Sequence, residues 1–69
     1  MDTLKQLGLN IQSERKVRSI SQEKLAEYAG LHRTYVGMVE RGERNITIES
    51  LKKIALALDL TIHELTYNL

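Results

Sequence analysis

A chain of 69 residues has room for one domain and no second module. It contains no cysteine, which removes disulfides and thiolate zinc sites, and two histidines without a ligand cluster make no metal site, so no cofactor is expected. The formal charge of +1 is too small to announce a nucleic-acid partner by itself, and a core expected to supply only about 3–5 kcal/mol leaves self-association as the remaining source of stability.

The N-terminal ten residues mix Asp2, Lys5 and Gln6 among leucines, and no apolar run nears the roughly 20 residues of a membrane span. A cytoplasmic protein with no membrane partner is the expectation. Helix one is predicted over roughly Thr3 to Arg18, with Leu4, Leu7 and Ile11 as its apolar stripe. The later helices open on a recurring pattern: an apolar residue, a capping candidate, and a second apolar residue five positions after the first, the hydrophobic staple. Ile20 and Leu25 flank Ser21 and open helix two, Gln22 to Ala29 or Gly30, which buries Leu25 and Ala29. Leu31 and Val36 flank His32, not a preferred N-cap, and open helix three about three residues later, with Val36 and Val39 inward. Ile46 and Leu51 flank Thr47 before helix four, whose stripe is Leu51, Ile54, Ala55 and Leu58. Leu60 and Leu65 flank Thr61, which with Glu64 has capping-box spacing. Gly30 and Gly42 fall at helix ends, where glycine adopts the left-handed conformation most cheaply. Proline and low-complexity stretches are absent and strands have no obvious place. The predicted fold is all-α: a compact five-helix bundle forming a single domain over residues 1–69, in which helices two and three make a tight helix-turn-helix.

Two charges sit on the apolar stripes. Arg15 lies four residues beyond Ile11 and Glu40 four beyond Val36, each within about 40° of a core position. An unpaired buried charge is very costly, so the economical reading joins Arg15 and Glu40 in a salt bridge between helices one and three. The alternative lets both reach solvent at the stripe edges.

The segment Gln22-Glu23-Lys24-Leu25-Ala26-Glu27-Tyr28-Ala29-Gly30-Leu31, followed by Val36 and Val39, resembles the helix-turn-helix of the phage Cro and repressor (XRE) family, whose fold is lambda-repressor-like. Ala26 stands where that family keeps a small residue between the two helices, and Gly30 at its turn. The family's pairing of an arginine late in helix one with the glutamate closing helix three corresponds to Arg15 and Glu40. The runs from Leu31 to Val36, Glu40 to Asn45 and Thr47 to Leu51 are similar to controller proteins of restriction-modification systems, which are short dimeric regulators. The likeness extends over roughly Gly8 to Leu65. Ser19 stands where a glycine commonly ends helix one, Ile46 where many relatives carry proline, and Glu14 at an often apolar site.

In a helix-turn-helix the second helix lies in the major groove with its N-terminal residues nearest the base edges. That end presents Arg33, Thr34 and Tyr35. Arg33 can give two parallel donors to guanine O6 and N7, and Thr34 a hydroxyl or methyl to thymine. The controller likeness implies these roles, with Tyr35 reaching the backbone or a flexible base step. Gly37, Met38 and Arg41 continue the outward face; close approach of DNA would justify the glycine, and Met38 is a candidate contact for a thymine methyl. Arg41, Arg44 and Asn45 lie at and after the helix end, suited to phosphates; the likeness also lets Arg44 or Asn45 reach base edges. Gln22 is expected to bond a phosphate with the free N–H groups at the start of helix two. Lys52, Lys53 and His63 read as ordinary solvated residues.

Leu56 points about 150° from the core stripe of helix four, and with Ile62, Tyr67 and Leu69 it is the candidate two-fold interface; scattered surface apolar residues are the plainer alternative. The leading expectation is a sequence-specific transcription regulator that binds double-stranded DNA as a homodimer on a palindromic operator. The likeness sets it in a restriction-modification operon that it autoregulates, with RNA polymerase as the further partner of an activator. A phage-type repressor is the same chemistry in another setting. A protein-interaction module predicts an apolar or acidic helix three, which an Arg-Thr-Tyr start does not match. No nucleophile, base and orienting residue form an enzyme's set. No small-molecule ligand is expected, since a pocket of about 300 Å³ would hollow so small a core.

Overall fold

All four staple-and-cap patterns open helices. In a computed structural model that describes residues 2–69, the helices are α1 (Thr3–Val17), α2 (Gln22–Ala29), α3 (Arg33–Glu40), α4 (Ile48–Ala57) and α5 (Ile62–Thr66), with no strand among the described residues. Ser21 Oγ accepts from Lys24 N at 2.9 Å and Thr47 Oγ1 from Ser50 N at 3.0 Å. His32 caps too: its Nδ1 accepts from Thr34 N at 3.0 Å, an imidazole nitrogen replacing the usual side-chain oxygen. Thr61 and Glu64 complete the reciprocal capping box. At the start of α1, Asp2 Oδ1 accepts from Leu4 N at 2.9 Å.

Three of the inter-helix turns are built alike. Ser19, Gly30 and Asp59 each take positive φ, +56°, +68° and +59°. The next residue then donates its N–H back across the helix end: Ile20 to Arg15 O, Leu31 to Ala26 O, Leu60 to Ala55 O. This is the Schellman closure. Each of those apolar residues also packs against the core as the first half of the staple for the following helix. A turn therefore needs only three or four residues, among them one left-handed, one apolar serving both helices, and one cap. The connection from α3 to α4 is longer. It closes the same way, with Gly42 at φ +72° and Glu43 N donating to Met38 O, but Glu43, Arg44 and Asn45 stand exposed before the apolar Ile46 and the cap Thr47.

The core gathers the expected stripes. Leu7, Ile11, Leu25, Ala29, Val36, Val39, Leu51, Ile54, Ala55, Leu58 and Leu65 are buried, together with the small Ala26. Leu4, at the first turn of α1, is only half-buried. The buried Gly8 lets α1 touch the end of α3, because a Cβ there would collide with the carbonyls of Val39 and Glu40. α3 packs on α1 and α2, α4 on α2, and α5 closes against α1 and α4. No helix of the described residues is long and apolar enough to cross a membrane.

Candidate nucleic-acid interface

The interface begins below the surface. Arg15 donates from Nε to Glu40 Oε2 at 2.7 Å and from Nη2 to Glu40 Oε1 at 3.0 Å, and its third nitrogen caps Ile20 O at 3.0 Å. Both side chains are buried, so this is a bidentate pair inside the domain and not a pair of snorkelling charges. Hydrogen bonding to Glu40 outweighs the burial that opposes it and raises the Arg15 pKa, so the guanidinium stays charged. Glu40 Oε1 also accepts from Gln22 Nε2 at 2.9 Å. Gln22, expected to bond a phosphate, already spends one N–H on Glu40, which ties the start of α2 to the end of α3 and leaves the second N–H free.

Gly37 departs from expectation. It is buried, not exposed: Gln22 and Arg41 lie across it, and a Cβ there would stand 3.3 Å from Gln22 Oε1 and 3.2 Å from Arg41 Nη1. The missing side chain makes room for two polar side chains over the middle of α3.

Above this base a shallow cleft of about 600 Å³ separates the start of α2 from the outer face of α3, lined by Ser21, Gln22, Glu23, Arg33, Thr34 and Arg41. A concavity larger than expected therefore exists without hollowing the core, because it is an open surface feature. Arg33 and Thr34 are exposed at its edge, and Arg41 is exposed across from them. Arg33 Nη1 is paired with Glu23 Oε2 at 2.6 Å, and Arg41 Nε with Glu43 Oε1 at 3.1 Å. Helical periodicity marks neither carboxylate, since Glu23 meets Arg33 across the α2–α3 turn and Glu43 lies beyond the end of α3.

Tyr35 is half-buried against the core, and the Arg44 guanidinium sits over its ring, 5.5 Å from the centroid. Tyr35 thereby anchors the exposed loop, a contact between α3 and the α3–α4 connection that adds cation–π attraction. Asn45 is exposed beside it, and Met38 is half-buried. The arrangement offers bidentate donors, hydroxyls and free helix-start N–H groups along one surface, the functional groups that duplex DNA presents partners for.

The candidate dimer residues divide. Leu56, 67% exposed, and the half-buried Ile62 line one groove of about 290 Å³ with Lys52, Ala55, Leu60 and Thr61. Leu69 borders a different depression with Asp2, Thr3, Gln6 and Asn68, and Tyr67 is exposed. The chain end is tied to α1 by Asn10, whose Nδ2 donates to Leu65 O at 2.9 Å and Asn68 Oδ1 at 2.6 Å.

Five helices among the described residues, a helix-turn-helix with its second helix displayed, and an arginine-bearing polar cleft along that helix define a DNA-binding transcription regulator. The helix-turn-helix family model matches residues 11–65, and the chain belongs to that family. It is similar to the control protein C.SmaI of Serratia marcescens, 48% identical over 65 residues that cover 94% of this chain and 77% of that one. It is also similar to the transcriptional regulator SinR of Bacillus subtilis, 35% identical over 86% of this chain and 54% of SinR. Its structure resembles that of the restriction-modification controller protein C.AhdI from Aeromonas hydrophila, with a TM-score of 0.88 and 44% identity over 90% of this chain and 94% of that one.

Proposed function

We propose that the protein is a sequence-specific regulator that reads a palindromic operator as a homodimer and controls a restriction-modification operon. The observation that carries the reading is the convergence of Arg33, Thr34, Arg41 and Gln22 on one cleft between the start of α2 and the outer face of α3. Arg33 and Thr34 read base edges; Gln22 and Arg41 hold phosphates on either side. Arg44 and Asn45 extend the grip from the one connection that is longer than chain reversal requires, with Tyr35 positioning Arg44 and Met38 facing a thymine methyl. Dimerisation through the Leu56 and Ile62 groove, which neither Tyr67 nor Leu69 lines, sets the two half-site readers at a fixed spacing. Likeness to control proteins supports the operon setting, and an activator in that setting would also contact RNA polymerase.

Selection from a library of randomised duplexes tests this. Two inverted half-sites, centred about 34–36 Å or one helical turn apart, are the expected product. Failure to enrich any sequence, or enrichment of a single unrepeated site, overturns the reading.

A further inference from the structure

Glu23 stands where a phosphate-seeking protein would not place it. The residues lining the cleft supply three arginines, Arg15, Arg33 and Arg41, and among those residues Glu23 is the one carboxylate. Its Oε2 lies 2.6 Å from Arg33 Nη1, although the two residues are ten positions apart on different helices. Both side chains are about two-thirds exposed, 68% and 66%. An exposed ion pair of that kind stabilises a fold by only a few-fold in its folding equilibrium, so folding gains little from it.

The guanidinium is a planar fork with five N–H donors, and one carboxylate oxygen engages one of them. With Nη1 held by Glu23, the remaining donors stay free for an acceptor pair such as guanine O6 and N7. The carboxylate also fixes where the fork stands, by tying it to the first turn of α2, a position that the helix dipole favours for a negative charge. A phosphate approaching Arg33 meets the opposite field. It is a like charge beside Glu23, and to take Nη1 it must displace the carboxylate.

We infer that Glu23 is a positioning and specificity-determining residue: it holds Arg33 in the orientation that reads guanine and keeps Arg33 from gripping phosphate on any other sequence. The inference rests on the proposed reading of DNA by Arg33. It makes Glu23 act mainly against non-specific binding, so its removal tightens the wrong complexes instead of weakening the right one.

The test compares Glu23→Gln with Glu27→Gln. Glu27 lies one turn further along α2 and is paired with Lys24 at 3.4 Å, so its replacement removes the same charge while leaving the Glu23–Arg33 contact in place. Binding is measured to the duplex that the wild-type chain selects from a randomised library and to a scrambled duplex, over a salt series. Glu23→Gln is expected to raise affinity for the scrambled duplex by about 3–10-fold and steepen its salt slope by about 0.9, as one more phosphate contact would. Affinity for the selected duplex stays within about 2-fold, so the specificity ratio falls. Glu27→Gln leaves that ratio unchanged. In an Arg33→Ala background, Glu23→Gln no longer moves the ratio, which assigns the effect to the pair. Equal gains for Glu23→Gln on both duplexes, matching Glu27→Gln, overturn the inference while leaving the reading by Arg33 intact. If Arg33→Ala alone weakens both duplexes equally, it is the reading by Arg33 that fails.

Discussion

Arg15 and Glu40, 25 residues apart, meet in a buried two-pronged contact at 2.7 and 3.0 Å that joins the end of the first helix to the end of the third. The same carboxylate receives Gln22 from the start of the second, so one acidic side chain fixes the mutual placement of three helices. The start of α2 and the end of α3 are thus held together by a contact at the base of the cleft, which Arg15 and Gln22 both line.

Replacing Glu40 by Ala should therefore destabilise the fold by about 3–5 kcal/mol, since the charged Arg15 is left buried without its acceptor. Urea unfolding measures this. A loss within the surface scatter of about 0.5 kcal/mol would mean that Arg15 escapes to solvent in the variant.

Ser19 and Gly30 make a matched pair. Both occupy the left-handed region, but only one is glycine. Ser19→Gly should stabilise by about 0.5–1 kcal/mol, the net of relieved strain against the greater freedom of glycine in the unfolded chain. Gly30→Ala should cost about 1 kcal/mol by conformation alone, because nothing lies within 4 Å of the added methyl. Thermal unfolding of the two variants should move in opposite directions; a shift of the same sign in both would show that φ does not control these turns.

Arg33 and Arg41 should differ in kind at the DNA. Arg33→Ala is expected to cost about 1–3 kcal/mol on the selected operator and to relax preference at one base pair of each half-site. Arg41→Ala should weaken binding on all sequences alike and flatten the salt slope by about 0.9 per site occupied. Binding to the operator, to a half-site substitution and to a scrambled duplex separates them. A uniform loss for Arg33→Ala would shift base reading to Thr34, Arg44 or Asn45.

Leu56→Glu places a charge in the apolar groove shared with Ile62 and should weaken self-association more than folding. The proposed dimer predicts a wild type that sediments as dimer with a melting temperature that rises with concentration, and a variant that sediments as monomer at the same concentration with no such rise. An unchanged dimer would move the interface elsewhere.

Glu64 carries a pH dependence. Its carboxylate accepts the Thr61 backbone N–H, with a second contribution from the Thr61 side chain, and its pKa is lowered from the usual 4.5 against a small opposing effect of desolvation. A carboxylate depressed in the folded state stabilises above its unfolded pKa and loses that contribution as pH falls through the folded value. The start of α5 should therefore loosen only below the ordinary glutamate range, seen as loss of amide protection at Thr61 and Glu64. NMR titration of the Glu64 carboxylate at or above 4.5 would contradict the capping box as the cause.

Much of this was legible in the chain. The helix starts could be read because a staple and a cap are local, set by residues within a single turn, and even the atypical cap His32 works through the same N–H acceptor geometry. Arg15 and Glu40 could be paired because a 100° periodicity places each on the inward face of its own helix, and two buried opposite charges have few other partners. The tertiary structure decided what lies over each outward face. Helical periodicity sets Arg41 one turn beyond Gly37 on α3, and only the docking of α2 puts Gln22 across it as well. Contacts between side chains on different elements, Glu23 with Arg33 and Tyr35 with Arg44, follow from the approach of separate segments, which no spacing along the chain encodes. The apolar residues near the C-terminus likewise read as one cluster along the chain, and the turn before α5 with the Asn10 tie to the chain end sends Leu56 and Ile62 to one groove and Leu69 to another, because direction in space is set by how helices pack and not by nearness in sequence.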